Sequence, residues 1–384
     1  MLIQLAVMGM IAALLPLTMV WMAADSGKYR KLASVALFLT FDLIMFGAFT
    51  RLTDSGLGCP DWPGCYGHSN PLLAHAAISA AQEAMPTGPV TLGKAWIEMI
   101  HRYLAMGVGV LITALLLSGW YRWHKTRKSA ARFSPIFPTV LFLCVCLQGA
   151  FGAWTVTLKL QPVIVTTHLL LGLALLGLLT WLVAQQSAHR QVTAAGRALA
   201  VPALIAGIVL VMQIALGGWV STNYATLACM DFPLCQGALL PQMDFENGFT
   251  LWRHLGKTAN GDYLPFPALT AIHWVHRTFA FVVIAVIVWV ARAALREPGL
   301  RRTGQGLLFV IALQLTTGLA TIFLSWPLAI AVLHNGGAAA LLLLLVMLNY
   351  KARYAPLAVG IAPTVFTEDG LSASASVRSR PEST

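Results

Sequence analysis

The sequence has 384 residues, of which 58% are hydrophobic and only 10% charged, and it carries a formal net charge of +11. A soluble domain carries about 25% charged residues, so this composition excludes a soluble enzyme and points to an all-α polytopic membrane protein. The positive charge needs no nucleic acid, because cationic anchors beside anionic lipid account for it.

Apolar runs recur along the whole chain, at about 2–23, 33–50, 96–119, 136–156, 162–184, 199–220, 269–291, 305–325 and 328–349. Each approaches the roughly 20 residues that cross a hydrocarbon core about 30 Å thick. The first lacks the basic leader of a secretory signal and reads as a retained helix. Alternate loops hold most of the basic residues: Lys28, Arg30 and Lys31; Arg122, Lys125, Arg127, Lys128 and Arg132; Arg190 and Arg197; Arg292, Arg296, Arg301 and Arg302; Lys351 and Arg353. The opposite loops hold Arg51, Lys94, Lys159, Arg253 and Lys257. The basic set is expected in the cytoplasm, which puts the N-terminus outside and the C-terminus inside. The last segment, "TEDGLSASASVRSRPEST", is expected to be a disordered cytoplasmic tail.

The chain contains a duplication. "MFGAFTRLTDSGLGCPDWPGC" (45–65) aligns without a gap on "ALGGWVSTNYATLACMDFPLC" (215–235), matching Gly47 with Gly217 and ending both times in C-x-D-[WF]-P-x-C. Downstream, His101-Arg102 matches His276-Arg277, and Gln148 and Gln314 each precede a histidine, His168 or His334, by 20 residues. The expected architecture is two pseudo-symmetric four-helix transmembrane bundles plus one extra N-terminal helix: 1–32 for that helix and its loop, 33–184 and 199–349 for the bundles, and 350–384 for the tail. Each half has an even number of spans, so both share one orientation, with the repeat axis along the membrane normal.

An ionisable side chain within a span costs about 2.5–3.5 kcal/mol on insertion scales and needs a partner. His101, His168, His276 and His334 lie six or seven residues inside their spans, a depth of about 10 Å at 1.5 Å per residue. Paired histidines on facing helices at one level suit axial ligation of heme iron. Zinc is the weaker reading, with too few ligands per bundle. Arg102 and Arg277 follow ligand candidates and either hold heme propionates or reach for headgroups. The halves differ at one telling position: Glu98 stands three residues before His101, where the second copy has His273. Residues three apart share a helix face, so Glu98 is a candidate catalytic acid, or else the partner of Arg102. Asp42 is a mid-span acid without a counterpart, Cys144 and Cys146 read as small packing residues, and the sequence leaves His273 undecided. On an oxidising outer face, Cys59–Cys65 and Cys229–Cys235 suit short disulfides, either as staples or as a redox pair.

The stretches "FGAFTRLTDSGLGCPDWPGCYG", "EMIHR", "TTHLLLG", "HWVHR" and "LHNGGA", in this order over residues 33–349, resemble the heme A synthase family of Cox15-type membrane enzymes. The resemblance implies oxidation of the C8 methyl group of heme O to a formyl group, giving heme A for cytochrome oxidase. It implies a bound heme b ligated by His276 and His334, and a substrate heme at His101 and His168 with Glu98 as the catalytic residue. It further implies a bacterial inner membrane and, as partners, heme O synthase and cytochrome oxidase assembly factors; a homo-oligomer is left open. The helix at 2–23 and the second cysteine loop depart from parts of the family. A quinol-linked cytochrome b, an outer-face thiol oxidoreductase and a heme carrier are the competing readings of the same residues.

Overall fold

The computed structural model describes residues 2–22, 27–126 and 134–357. Among them, nine helices are long and apolar enough to cross a membrane. These are α1 (Leu2–Trp21), α2 (Lys28–Leu52), α4 (Leu92–Lys125), α5 (Ile136–Thr157), α6 (Pro162–Gln185), α8 (Ala200–Thr222), α10 (Phe266–Leu295), α11 (Arg301–Phe323) and α12 (Leu328–Tyr354). Shorter helices α3 (His75–Ala84), α7 (Ala194–Ala198) and α9 (Phe245–Phe249) lie in the connections. Arg127, Lys128, Arg132 and the residues from 358 onward, including the expected tail, lie outside the described residues.

Local chemistry sets the helix starts. Thr91 opens α4 by accepting from Lys94 N at 3.2 Å, and proline occupies the first turn of α6 and α10, where its missing N–H costs nothing. Several helices overrun the spans read from hydropathy. At 34 residues, α4 is about 51 Å long at 1.5 Å per residue, so it projects beyond a hydrocarbon core. The far end of α12 is held by a long-range cap: Arg197 donates to the carbonyls of Arg353 at 2.9 Å and Ala355 at 2.7 Å. The C-terminal segment is therefore helical to Tyr354, beyond the boundary expected at residue 349.

Helices α2, α4, α5 and α6 pack as one closed ring, and α8, α10, α11 and α12 as another. The rings meet through α2 and α6 against α12, and through α6 against α8. Leu173 and Leu176 of α6, Ala203 and Leu210 of α8, and Leu341 and Leu345 of α12 share one buried core across this seam. The outlying α1 lies along α4 and touches α2. A methyl added at Gly9 would stand 2.8 Å from Met106 Cβ, and one at Gly107 3.1 Å from Ala12 Cβ. The α1–α4 crossing thus uses small residues to bring two backbones together, as transmembrane helices do.

Both cysteine loops lie at one end of the molecule, where α2 and α8 finish side by side. Arg51 donates to Ser221 O at 2.7 Å and to Tyr224 Oη at 3.0 Å, and Tyr224 Oη donates to Asp54 Oδ1 at 2.8 Å. The Arg51 guanidinium also sits 4.2 Å above the Tyr224 ring. Leu5, near the start of α1, packs in one cluster with Cys59 and Cys65, so the N-terminal end of α1 shares this face. Replacing Arg51 by Ala removes a side chain that ties the two loop regions by both stacking and hydrogen bonds. It should cost about 1.5–3 kcal/mol, the range for hydrogen bonds to charged groups, read by SDS-induced unfolding of the detergent-solubilised protein.

Candidate functional site

The cysteine loops are built on one plan. Cys59 is bonded to Cys65 and Cys229 to Cys235, with Cα–Cα distances of 4.9 Å and 4.7 Å. The aspartate of each C-x-D motif ties the loop to itself. Asp61 accepts from Tyr66 N at 2.6 Å and Gly67 N at 2.8 Å; Asp231 accepts from Gln236 N and Gly237 N, both at 2.8 Å. Gly67 and Gly237 have φ of +74° and +75°, the left-handed region that favours glycine. All four sulfurs are buried, at 0–2% exposure. A thiolate partner cannot reach them without opening the loop, which favours the staple over the exchangeable redox pair.

Each loop is clamped onto the helix beneath it by the residues that the duplication singles out. Glu98 of α4 accepts from Cys59 N at 2.8 Å through Oε2 and pairs with Arg102 through Oε1. Arg102 in turn donates to the main-chain carbonyls of Asp61, Pro63 and Gly64. Gly58 lies so close to α4 that a methyl there would stand 2.5 Å from the Lys94 carbonyl carbon. In the second half, His273 of α10 accepts from Cys229 N at 3.3 Å, and Arg277 donates to the carbonyls of Asp231 at 2.9 Å and Leu234 at 3.1 Å. His273 is therefore the geometric counterpart of Glu98: a buried acceptor for the first cysteine's amide. Arg277 Nη1 is buried with no hydrogen-bond partner.

Below the loops lie the four histidines, each resting on a glycine of a neighbouring helix. A methyl added at Gly47 would stand 3.0 Å from His101 Cε1, at Gly152 3.2 Å from His168 Cε1, at Gly217 2.9 Å from His276 Cε1, and at Gly318 3.3 Å from His334 Cε1. Such contacts are tighter than ordinary van der Waals packing, so a methyl at any of these glycines would press on the ring. His101 also stacks on Phe46, with centroids 6.3 Å apart and planes 10° from parallel. His101 on α4 and His168 on α6 stand at opposite corners of the first ring, as do His276 on α10 and His334 on α12 in the second. All four keep part of their surface accessible.

The polar surroundings of the imidazoles differ between halves. Gln148 Nε2 lies 3.5 Å from His168 Nε2, and Gln213 Nε2 lies 3.2 Å from His276 Nδ1 and 3.0 Å from its carbonyl. Thr317 Oγ1 is 3.0 Å from His334 Nδ1. His101 Nδ1 and His168 Nδ1 are buried without a partner. Paired imidazoles on opposite helices of one bundle are a ligand set that would suit a planar metal cofactor such as a heme. Among the described residues, no three His, Cys, Asp or Glu side chains converge to form a cage for a bare ion.

The structure thus brings the two loop anchors, the two arginines and both histidine pairs to one end of their bundles. It leaves others apart. Asp42 is exposed on α2, turned out of the ring, and Cys144 and Cys146 are unbonded on α5. Gly152, Gly318 and the loop aspartates are the functional positions that the sequence reading passed over. Their signals were present in "LQGAFG" against "LQLTTG" and in the repeated C-x-D.

The sequence profile of a family described as cytochrome oxidase assembly protein, COX15-CtaA, matches residues 30–346. The chain belongs to this family. A protein named heme A synthase from Shewanella oneidensis is 39% identical over 321 residues, covering 83% of this chain and 95% of the relative. Proteins of the same name from Mesorhizobium japonicum and Sinorhizobium medicae are 30% and 27% identical, over 83% and 86% of this chain and 87% and 89% of their own. The family match runs from the first turn of α2 into α12, reaching all eight helices of the two rings, and leaves α1 outside it.

Two outcomes test the clamp. Removing Arg102 strips a buried carboxylate of its counter-charge, a change worth about 3–5 kcal/mol. In Arg102→Ala the Cys59–Cys65 bond should become reducible by a mild membrane-impermeant reductant and its thiols open to maleimide, while Cys229–Cys235 stays protected. In the second loop, the Gly237 and Gln236 amides hold the Asp231 carboxyl below its ordinary value of 3.8. A group depressed in the folded state contributes fully above its unfolded value and loses that contribution as pH falls through the folded one. Amide-exchange protection at Gln236 and Gly237 should therefore stay constant between pH 5 and pH 8 and fall across that whole range in Asp231→Asn.

Proposed function

We propose that this chain is a heme A synthase that oxidises the C8 methyl group of heme O to a formyl group. The observation that carries the assignment is the pair of duplicated histidine compartments, only one of which has a carboxylate above it. The names of the relatives point to the same activity. On this reading, His101 and His168 receive heme O in the first half, and His276 and His334 hold heme b in the second.

The residues fit a heme. Partly accessible imidazoles stand in pairs on opposite helices of each ring, a glycine lies against each of them, and Arg277 Nη1 is a buried donor without an acceptor. A propionate is the anion that such a guanidinium would take. We assign that role to Arg277 and the loop-clamping role to Arg102, whose donors are engaged by Glu98 and the loop carbonyls. Heme b, when bound, supplies a one-electron redox centre beside the substrate compartment.

The chain's own contribution is positioning and electrostatics. Oxidising a methyl carbon draws electrons from it and builds positive charge there. A fixed carboxylate in a water-poor site stabilises that charge without reorganising. Glu98 is buried and fixed by Cys59 N and Arg102, one helical turn above His101. In the second half the neutral acceptor His273 takes the same place, and that half keeps its heme unaltered. The excess of basic residues at the opposite end from the cysteine loops supports placing those loops on the outer face of a bacterial inner membrane. Heme O then arrives through the lipid from the synthase that makes it.

Co-expression with a heme O source tests this, with pigments from the purified protein identified by mass and by reduced-minus-oxidised spectrum. Wild type should yield heme b with heme O or heme A. Glu98→Ala should keep its heme content and lose about 100-fold or more of heme A formation, the scale of removing one electrostatic stabiliser. A colourless protein, or heme A formation unchanged in Glu98→Ala, overturns the proposal.

A further inference from the structure

The two histidine compartments are alike in their glycines and their glutamines but not in what holds the far nitrogen of each ring. Gln148 and Gln314 occupy equivalent places on α5 and α11, four residues before Gly152 and Gly318. Three residues after these glutamines the first half has Phe151 and the second Thr317.

Thr317 is 6% exposed and its hydroxyl group is fully engaged. Oγ1 lies 2.9 Å from Leu313 O and 3.2 Å from Gln314 O, so its single hydrogen is committed to a carbonyl of its own helix. What Oγ1 turns to His334 Nδ1, 3.0 Å away, is therefore a lone pair. With Oγ1 accepting, Nδ1 carries the proton and Nε2 is left bare. The first half has no such device. Phe151 packs edge-on against Trp154 with centroids 5.0 Å apart, and His168 Nδ1 and His101 Nδ1 find no hydrogen-bond partner. The other second-half imidazole has a polar neighbour too, Gln213 at 3.2 Å, where the aligned first-half residue is Leu43.

We infer that Thr317 is a positioning residue for the second-half heme: it fixes the His334 tautomer with Nε2 free for iron, and its absence from the first half makes that half the exchangeable site. The inference rests on the functional reading above and explains why two duplicated compartments divide into a permanent cofactor site and a substrate site. A hydrogen bond at the remote nitrogen fixes ring orientation and strengthens the ring as a donor, and losing one costs 10–100-fold in metal affinity.

The test uses the full chain in detergent with His101→Ala and His168→Ala, so that only the second-half heme remains. Heme transfer to excess apomyoglobin and the midpoint potential are then measured. Thr317→Val should speed heme loss by 10–100-fold and shift the potential positive, because the ring donates less to ferric iron. Thr317→Ser should restore both. Phe151→Thr, with the first-half histidines intact, should slow heme release from the first half. Thr317→Ala supplies the same comparison if Thr317→Val does not accumulate. Unchanged loss and potential overturn the inference, and so does faster loss at an unchanged potential, which marks a packing effect alone. A parent protein with no second-half heme overturns the functional reading itself, whereas a heme-loaded parent indifferent to Thr317 overturns only this step.

Discussion

A buried imidazole in a span must have both its ring and its polar nitrogens accommodated, and this chain solves the first requirement in the same way four times. Each ring lies against a glycine of the adjacent helix, at separations where one methyl would collide. That contact fixes how close the helices of each ring come, and so where the opposed histidines stand. The cysteine loops above and the inter-ring seam are arranged around this geometry: α2 and α8 each contribute a histidine-bearing glycine and then run directly into a cysteine loop, while α6 and α12 carry the second histidine of each half and also form the seam. The compartments and the interface are thus built from the same helices.

The halves show how a duplicated scaffold diverges with few changes. A carboxylate and an imidazole, Glu98 and His273, both accept a hydrogen bond from the amide of the first loop cysteine. The mechanical task is conserved while the charge is not. Both arginines reach the loop carbonyls, but only Arg102 also serves as a counter-ion, to Glu98; Arg277 keeps a buried nitrogen unpaired. One substitution therefore alters two functional groups.

Much of this was legible in the sequence because it lies in spacing. The repeated Cys, His-Arg and Gln-to-His intervals predicted two bundles with paired histidines, and hydropathy located nine spans. Spacing says which residues share a helix face, but not which main-chain amide a side chain meets; hence His273 stayed undecided until Cys229 N was seen beside it. Short helices such as α3 in "HAAISAAQEA" carry no long apolar run and went unread. The extension of α12 to Tyr354 depends on Arg197, 156 residues away from Arg353, and no local pattern announces such a cap. Position mid-span says nothing of which way Asp42 turns, and helical phase leaves it exposed.

The seclusion of the four loop sulfurs bears on how the protein matures. Once Gly58 is seated on α4 and the guanidiniums have gathered the loop carbonyls, no oxidant has access to the thiols. Cross-linking must therefore come before docking. Biogenesis is consequently ordered: covalent closure of each loop, then burial, then completion of the compartments beneath.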